Sequence, residues 1–294
     1  MVTLSKPLAI LILFLTTLFW GTTFPFTKEL TRVLHPVWII TLRFGCAAII
    51  LLLLAYPNIR KAAKTISKRD YGLFLLLGIL NLGGILFLTM SLKISEVANS
   101  SFLLSIALLI IPFWELLLFG IPLRRKIIVA LTMMLCGIYL MSYGFELPRR
   151  LVAGDLLALL AALIYSFYII LVGLLSKRYH AGVIMFIAFS ITALLCLPLG
   201  LAIPQATTPD FSALGMQTVF NLGFLVVIGT VTPYVLMGVG QRTVDAQTSA
   251  MIYILEPVFA TLIALFFFAQ PISFTKYIGA GIILIAQWIA IRRS

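Results

Sequence analysis

Residues 246–269 read AQTSAMIYILEPVFATLIALFFFA, an apolar run with a single carboxylate, Glu256, near its middle. The run is long enough to cross a bilayer as a helix, which takes about 20 residues. Pro257 follows the carboxylate directly. Because proline lacks a backbone donor and crowds the preceding turn, we expect a kink that frees carbonyl groups there. A charge at the bilayer centre costs about 2.5–3.5 kcal/mol, so Glu256 is expected to face a cavity or the interior of a helix bundle.

Nine further apolar runs accompany this one. Of the 294 residues, 62% are hydrophobic and 10% are charged, whereas about a quarter of the residues of a soluble domain are charged. We therefore expect an all-α polytopic membrane protein with ten transmembrane helices, whose short loops leave no room for a soluble catalytic domain. The ten runs cover approximately residues 7–27, 37–56, 71–92, 97–120, 126–145, 154–175, 182–203, 217–239, 246–269 and 274–291.

The basic residues lie mostly in loops between these runs, where they orient the helices. The formal net charge is +12, from 21 Lys and Arg against 9 Asp and Glu. If the termini and the even-numbered loops share one side, that side collects 14 basic residues and the other collects 6. Since cytoplasmic loops carry the excess of Lys and Arg, we expect a multi-pass protein of the cell inner membrane with both termini in the cytoplasm. The positive charge does not indicate a nucleic-acid partner.

An internal repeat is visible when residues 93–137 are aligned with residues 242–286. Four positions then match in chemical type relative to the apolar runs: Lys93 with Arg242, Glu96 with Asp245, Ser100 with Ser249, and Pro122 with Pro271. The match predicts two five-helix repeats, residues 1–148 and 149–294. Because five is odd, the second repeat must cross the membrane in the opposite orientation, an architecture that transporters use for alternating access around a central cavity.

Several polar and aromatic side chains within the runs are candidates for binding a substrate. Trp20 and Thr23 share a helix face, Pro25 is expected to break the first helix before Lys28, and Tyr253 lies on the face of Glu256. The candidate substrate-binding residues are Trp20, Thr23, Asn81, Tyr165, Tyr234, Tyr253 and Glu256. Other roles stay open for these residue types: threonine hydroxyls also bond to their own helix, tyrosines pack in cores, and Asn81 or Glu256 could bond neighbouring helices together.

Three residues are candidates for coupling or gating, namely Glu115, Arg43 and Pro257. Arg43 could be a counter-ion for Glu256 or for a substrate carboxylate, or it could extend to the membrane interface. Glu115 could lie on the permeation path, pair with Arg124 or Arg125, or extend to the interface.

The sequence shows no pattern typical of an enzyme, a metal site or a bound cofactor. Walker A, HExxH, GxSxG and GxGxxG patterns are absent, and no CxxC pair occurs. His35 and His180 fall in loops on opposite sides of the membrane. The cysteines Cys46, Cys136 and Cys196 lie in apolar runs and are expected to be small buried hydrophobic residues.

Two motifs resemble a known family. Trp20-Gly21-Thr22-Thr23-Phe24 followed by Lys28 is similar to the W-G-x-x-F-x-x-x-K opening of ten-helix EamA-type members of the drug/metabolite transporter superfamily. Glu256-Pro257-Val258-Phe259-Ala260 resembles the family's ninth helix, and Arg43 stands where the family often has an arginine. The chain departs from the family where Gly120-Ile121 and Ala269-Gln270 replace its Gly-Glu pairs. The resemblance implies an inverted five-plus-five bundle that carries metabolites such as amino acids and their derivatives, often outward.

These observations favour a secondary transporter or facilitator that moves small organic metabolites, with amino-acid export as the leading hypothesis. Uptake of a cationic or nucleotide-like metabolite such as S-adenosylmethionine is an alternative, because aromatic rings facing a carboxylate suit a cation. A non-transporting membrane scaffold is another. A channel is not favoured, since rings of charge and a filter-like glycine loop are absent. The expected partners are a small-molecule substrate and the lipid bilayer; proton coupling, and a monomer or a homodimer, stay open.

Overall fold

The computed structural model describes residues 4–95, 97–122, 125–146, 152–209, 214–259, 262–263 and 273–291. Within these ranges the chain is helical, with connecting loops and without β-strands. A π-helical turn, Val227–Val231, joins two of the helices. The helices are α1 (Lys6–Gly21), α2 (Thr23–Leu30), α3 (Pro36–Ala63), α4 (Lys68–Ile94), α5 (Val97–Phe119), α6 (Arg125–Tyr143), α7 (Ala153–Ser176), α8 (Ala181–Ala202), α9 (Met216–Val226), α10 (Thr232–Gly240), α11 (Ala246–Tyr253) and α12 (Phe274–Ile291).

Eight helical segments of the described chain are long and apolar enough to cross a membrane. Two of them are composite: α1 and α2 form one, and α9, the π-helical turn and α10 form another. The ninth predicted run is described by α11 and the helical residues 256–259 and 262–263, and the tenth by α12. The predicted all-α polytopic membrane fold is therefore confirmed. The rest of the ninth run lies outside the described residues.

Large apolar side chains cover the outward faces of the helices. Leu53, Leu117 and Leu194 are each about 70% exposed (74%, 72% and 69%), as expected for side chains that contact lipid. The prediction of buried cysteines is correct for Cys196 but wrong for Cys46 and Cys136, which are exposed. Both lie on these outward faces, where a small apolar thiol is compatible with lipid.

The helices repeat along the chain in the order that an inverted duplication requires. The starts of α1, α3, α4, α5 and α6 recur as the starts of α7, α8, α9, α11 and α12 after 145 to 149 residues. Glu96 and Pro271 of the predicted repeat lie outside the described residues. The two repeats differ in their third and fourth spans. In the first repeat these spans are the continuous helices α4 and α5, whereas in the second repeat they begin with α9 and α11 and are interrupted.

The loops gather on two faces of the bundle. On one, Lys28 Nζ donates to the carbonyl oxygen of Ser95 at 2.9 Å, and Ser95 Oγ donates to Asp155 Oδ1 at 3.3 Å. On the other, Arg178 Nη1 pairs with Asp70 Oδ1 at 3.1 Å. We call these the Lys28 face and the Asp70 face. A chain that crosses the membrane ten times places its odd-numbered loops on one side and its even-numbered loops on the other. The contacts on the Lys28 face join odd-numbered loops, and the contact on the Asp70 face joins even-numbered loops.

The two histidines begin corresponding helices on opposite faces. His35 caps α3 and His180 caps α8, and each Nδ1 accepts the backbone N–H two residues later, from Val37 at 3.4 Å and Gly182 at 3.2 Å. Burial, and secondly a nearby basic side chain, lowers the pKa of both imidazoles. The lowered pKa keeps each ring neutral at pH 7, so that Nδ1 can accept the capping bond.

Glycines allow the last helix of each repeat to pack backbone to backbone. A Cβ atom at Gly279 of α12 would lie 2.5 Å from the carbonyl oxygen of Gly137 in α6. Carbon and oxygen atoms do not approach so closely, so α6 and α12 can keep this contact only while the position is glycine.

We expect Gly279→Ala to lower the melting temperature of the purified protein in detergent, because the helices must separate, at a cost of about 1–3 kcal/mol. Gly281→Ala is the matched control, since a Cβ there meets nothing within 4 Å. Equal melting temperatures for the two variants would contradict the close packing of α6 and α12.

Candidate functional site

Three prolines determine where the helices around the centre of the bundle are interrupted. Each follows by four residues a position at which a helix ends or widens into the π-helical turn: Gly21 and Pro25, Gly229 and Pro233, and Tyr253 and Pro257. A proline cannot donate to the carbonyl four residues earlier, and its ring crowds that carbonyl. At these three positions the helical path is interrupted one turn before the proline, whereas α3, α5 and α8 continue through Pro57, Pro112 and Pro198.

The break expected from Pro25 is present, one turn before the proline. Pro25 was expected to break the first helix before Lys28; the break lies at Thr22, and Pro25 itself lies inside α2. The expected interruption at Glu256 and Pro257 is present: α11 ends at Tyr253, the chain turns at 254–255, and helix resumes at Glu256. The carboxylate thus lies just after the break.

A cavity lies between these interruptions. Its free space measures about 770 Å³, counting the part open to solvent. Predicted site residues that line it are Trp20, Thr23, Tyr165, Tyr234, Tyr253, Glu256 and Arg43. The lining also includes Thr27 and Leu92, next to the Lys28–Ser95 contact, so the cavity extends toward the Lys28 face.

Four aromatic rings form one end of the cavity. Trp20 contacts Tyr234 and Tyr253 edge to face, with ring centroids 5.4 and 5.1 Å apart, and Tyr168 contacts Tyr234 at 6.1 Å. We call these four residues the aromatic floor. The hydroxyls of Tyr165 and Tyr234 lie 3.4 Å apart above it. Edge-to-face packing fixes the rings and presents a mainly apolar surface with few hydroxyls.

Arg43 is buried in the cavity wall and is held by the π-helical turn. Its Nε donates to Thr230 Oγ1 at 2.5 Å and its Nη2 donates to the carbonyl oxygen of Gly229 at 2.9 Å. Pro233 deprives that carbonyl of a helical donor, and the guanidinium replaces it. A guanidinium carries five N–H donors. The bonds to Thr230 and Gly229 use two of them, and within the described residues no carboxylate pairs with Arg43.

Glu256 lines the same cavity. Among the described residues, no hydrogen bond or ion pair to its carboxylate is present. The expected pairing of Arg43 with Glu256 is therefore not seen. Instead, one cationic and one acidic side chain both retain hydrogen-bonding capacity in a largely apolar cavity, which is costly at membrane depth unless a ligand or water meets them.

Three predicted site residues lie outside the cavity lining. Asn81 Nδ2 donates to Thr192 Oγ1 at 2.9 Å and joins α4 to α8. Glu115 is buried near the Asp70 face, where the backbone N–H of Gln247 bonds to its carboxylate at the start of α11. Pro257 follows Glu256 but is not part of the lining. These positions give Asn81 and Glu115 contacts between helices.

The lining contains polar residues that the sequence reasoning did not select as candidate site residues. Tyr168 lies three residues after Tyr165, and Thr27 continues the spacing of Trp20 and Thr23, so helical periodicity could have indicated both. Thr89 and Ser105 also line the cavity. They are single hydroxyls in apolar runs, and the sequence holds no signal that distinguishes them.

A bundle of apolar helices, several of them interrupted around a central cavity, is typical of membrane transport proteins. The EamA-like transporter family matches residues 7–143 and again 152–292. The chain therefore belongs to the EamA-like transporter family, whose members are transporters and not enzymes.

Relatives and a solved structure agree with this assignment. Two proteins of Archaeoglobus fulgidus, each named "Uncharacterized transporter", are 27% identical over 203 residues (69% of this chain, 70% of the relative) and 24% identical over 293 residues (96% and 98%). A protein crystal structure superposes with a TM-score of 0.79 over 98% of this chain and 97% of its own, at 18% identity. That likeness concerns the fold.

We expect Gly229→Ala to shift the π-helical turn and thereby to disturb its hydrogen bonds to Arg43. A Cβ at this position would lie 2.9 Å from Thr23 Cγ2 and 3.2 Å from Leu225 Cδ2, so these groups must move apart. Loss of a charge-assisted hydrogen bond, worth about 1.5–3 kcal/mol, should lower solute transport into proteoliposomes about tenfold or more.

Gly223→Ala in α9 is the control, because a Cβ there meets nothing within 4 Å. If both variants transported equally well, the guanidinium would not depend on the π-helical turn for its function.

Proposed function

We propose that this protein carries small zwitterionic organic metabolites, amino acids or their derivatives, across the membrane by alternating access. The observation that carries the proposal is the presence of Arg43 and Glu256 in one cavity of mainly aromatic and aliphatic lining. A substrate carboxylate would meet the remaining donors of Arg43. A substrate amine would meet Glu256, and its side chain would contact the aromatic floor.

Electrostatics favours a zwitterion over a singly charged solute. Two unit charges about 4 Å apart interact by about 4 kcal/mol at an effective dielectric constant of 20. A simple cation gains this attraction from Glu256 but is repelled by Arg43, and a simple anion has the opposite problem. A zwitterion satisfies both side chains and leaves the cavity electrically neutral.

Uptake of a cationic metabolite is the second candidate, and S-adenosylmethionine is an example. It is favoured by the contacts of Trp20 with Tyr234 and Tyr253, because clustered aromatic rings attract cations. The two candidates differ at Arg43: Arg43→Gln should weaken binding of an amino acid but strengthen binding of a cation that lacks a carboxylate. A non-transporting scaffold would be stabilised by neither solute.

We further propose that the Asp70 face is cytoplasmic, that both termini lie on that side of the cell inner membrane, and that transport runs outward. The excess of basic residues in the loops assigned to this face supports the orientation. Export is the direction that the family resemblance implies.

Cysteine labelling tests the orientation. In a variant without the native cysteines, Val33→Cys on the Lys28 face should react with a membrane-impermeant maleimide on intact cells, because Val33 is 61% exposed in a loop. Lys64→Cys, exposed at the end of α3, should react only after the cells are opened. The reverse pattern would overturn the proposed orientation.

Replacement of Glu256 by Gln tests the amine contact. Loss of its charge should weaken amino-acid binding about 10- to 150-fold, as expected for a charge-assisted hydrogen bond worth about 1.5–3 kcal/mol. The measurements are the solute-induced shift in melting temperature and the counterflow of radiolabelled amino acids in proteoliposomes.

Glu29→Gln is the matched control for this variant, since Glu29 pairs with Arg32 on the surface. If the Glu256→Gln variant and the wild type showed equal counterflow, the carboxylate would have no role in substrate binding. A solute screen in which no compound raises the melting temperature of the wild type would favour the scaffold. Counterflow repeated with and without a pH gradient shows whether protons are coupled.

A further inference from the structure

Gln241 and Ser176 are buried near the Asp70 face, and within the part of the chain that the structure describes their side chains have no hydrogen-bond partners. Gln241, at the end of α10, is fully buried, and neither its amide oxygen nor its amide nitrogen has a partner. Ser176, the last residue of α7, is also fully buried, and its Oγ has no partner. A buried polar group without a partner loses its hydration and gains nothing in return.

Both residues lie where α7 approaches the end of α10. A Cβ atom at Gly173 would be 3.7 Å from Gln241 Oε1, so the amide rests against the backbone of α7. Ser176 follows one turn later, and its carbonyl oxygen accepts from Arg242 Nε at 3.0 Å. Gln241 and Ser176 therefore belong to the same contact between two helices.

Gln241 and Ser176 lie on the same helix faces as two tyrosines of the cavity lining. Gln241 lies seven residues after Tyr234 on α10, and Ser176 lies eleven residues after Tyr165 on α7. At 3.6 residues per turn, separations of seven and eleven return to nearly the same side of a helix. Both continuations run from the cavity toward the Asp70 face, on the other side of the aromatic floor.

A role as helix-to-helix glue does not explain these groups. Asn81 shows such a bond, because its amide donates to Thr192 Oγ1 on another helix. Gln241 makes no comparable bond within the described residues. Near Gln241, α1 packs directly on α10: a Cβ at Gly240 would lie 2.5 Å from Leu13 Cδ2.

We propose that Gln241 and Ser176 line the inner half of the permeation path. In this structure the packing of α1 on α10 closes the path. When α1 and α10 separate and the protein opens to the Asp70 face, water enters, and the amide and hydroxyl groups bind the hydrogen-bonding groups of a solute as it passes between the cavity and that face. The inference rests on the proposed transport function, and it adds a second polar solute-binding site between the cavity and the Asp70 face.

Accessibility of position 176 tests the inference without knowledge of the solute. The native cysteines are first removed, and Ser176→Cys is compared with Leu175→Cys, which is equally buried at the same depth but on another side of α7. In inside-out vesicles, a membrane-impermeant thiol reagent should modify Ser176→Cys about tenfold faster, because a minor open state exposes it. Equal rates, or faster modification from the Lys28 face, would overturn the proposal.

Gln241→Leu provides a second, independent measurement. Leucine removes the unpartnered amide, so the melting temperature should rise, while counterflow of radiolabelled amino acids should fall about fivefold or more because the solute loses a contact. A lower melting temperature or unchanged counterflow would count against the proposal. Asn81→Leu is the control and should lower the melting temperature, because it deletes a hydrogen bond that is made.

The two proposals can fail separately. If no amino acid is transported but Ser176→Cys still reacts selectively from the Asp70 face, the proposed substrate is wrong and the inner path stands. If Glu256→Gln abolishes counterflow while Ser176→Cys and Leu175→Cys react equally, the cavity function stands and the inner path is wrong.

Discussion

Lipid supplies no hydrogen bonds to a polypeptide backbone, so every carbonyl released from a helix within the membrane must find a partner in protein or water. Around the cavity, prolines deprive the carbonyls of Gly21, Gly229 and Tyr253 of their helical donors, and the helices are interrupted there. All three interruptions border the same cavity. The requirement to accommodate irregular backbone therefore places the polar part of the protein at its centre, while the outward faces remain continuous and apolar.

The carbonyl oxygen of Gly229 finds its partner in the guanidinium of Arg43. Arg43 bonds to it and is thereby fixed in the cavity wall, although its sequence distance from Thr230 is 187 residues. Backbone and hydroxyl contacts orient the guanidinium without neutralising it. Glu256 is placed by the third interruption and is likewise not paired within the described chain. The guanidinium and the carboxyl group stay available because the groups that position them are not ionised.

The sequence contains enough information for the class of fold and for the residues next to a break, but little for contacts between distant segments. The apolar runs predict the helices, and the Glu256-Pro257 pair predicts the interruption of the ninth span. Helical spacing identifies Trp20 and Thr23 as one face. Asn81 shows the limit: an amide in an apolar helix suits a ligand or a neighbouring helix equally well, and its partner Thr192 lies 111 residues away. Thr89 and Ser105 line the cavity only because the helices are arranged as they are.

The lengths of α3 and α4 bear on how the helices are placed across the bilayer. With 28 and 27 residues they measure about 42 and 40 Å, against a hydrocarbon thickness of about 30 Å. Their extra turns meet at the Asp70 face and carry Arg60, Lys61, Lys68 and Arg69. Basic side chains at the edge of a membrane are attracted to lipid phosphates, each by about 1 kcal/mol at an anionic surface. The extra turns of this helix pair thus suit the headgroup layer, while the apolar turns between them match the hydrocarbon layer.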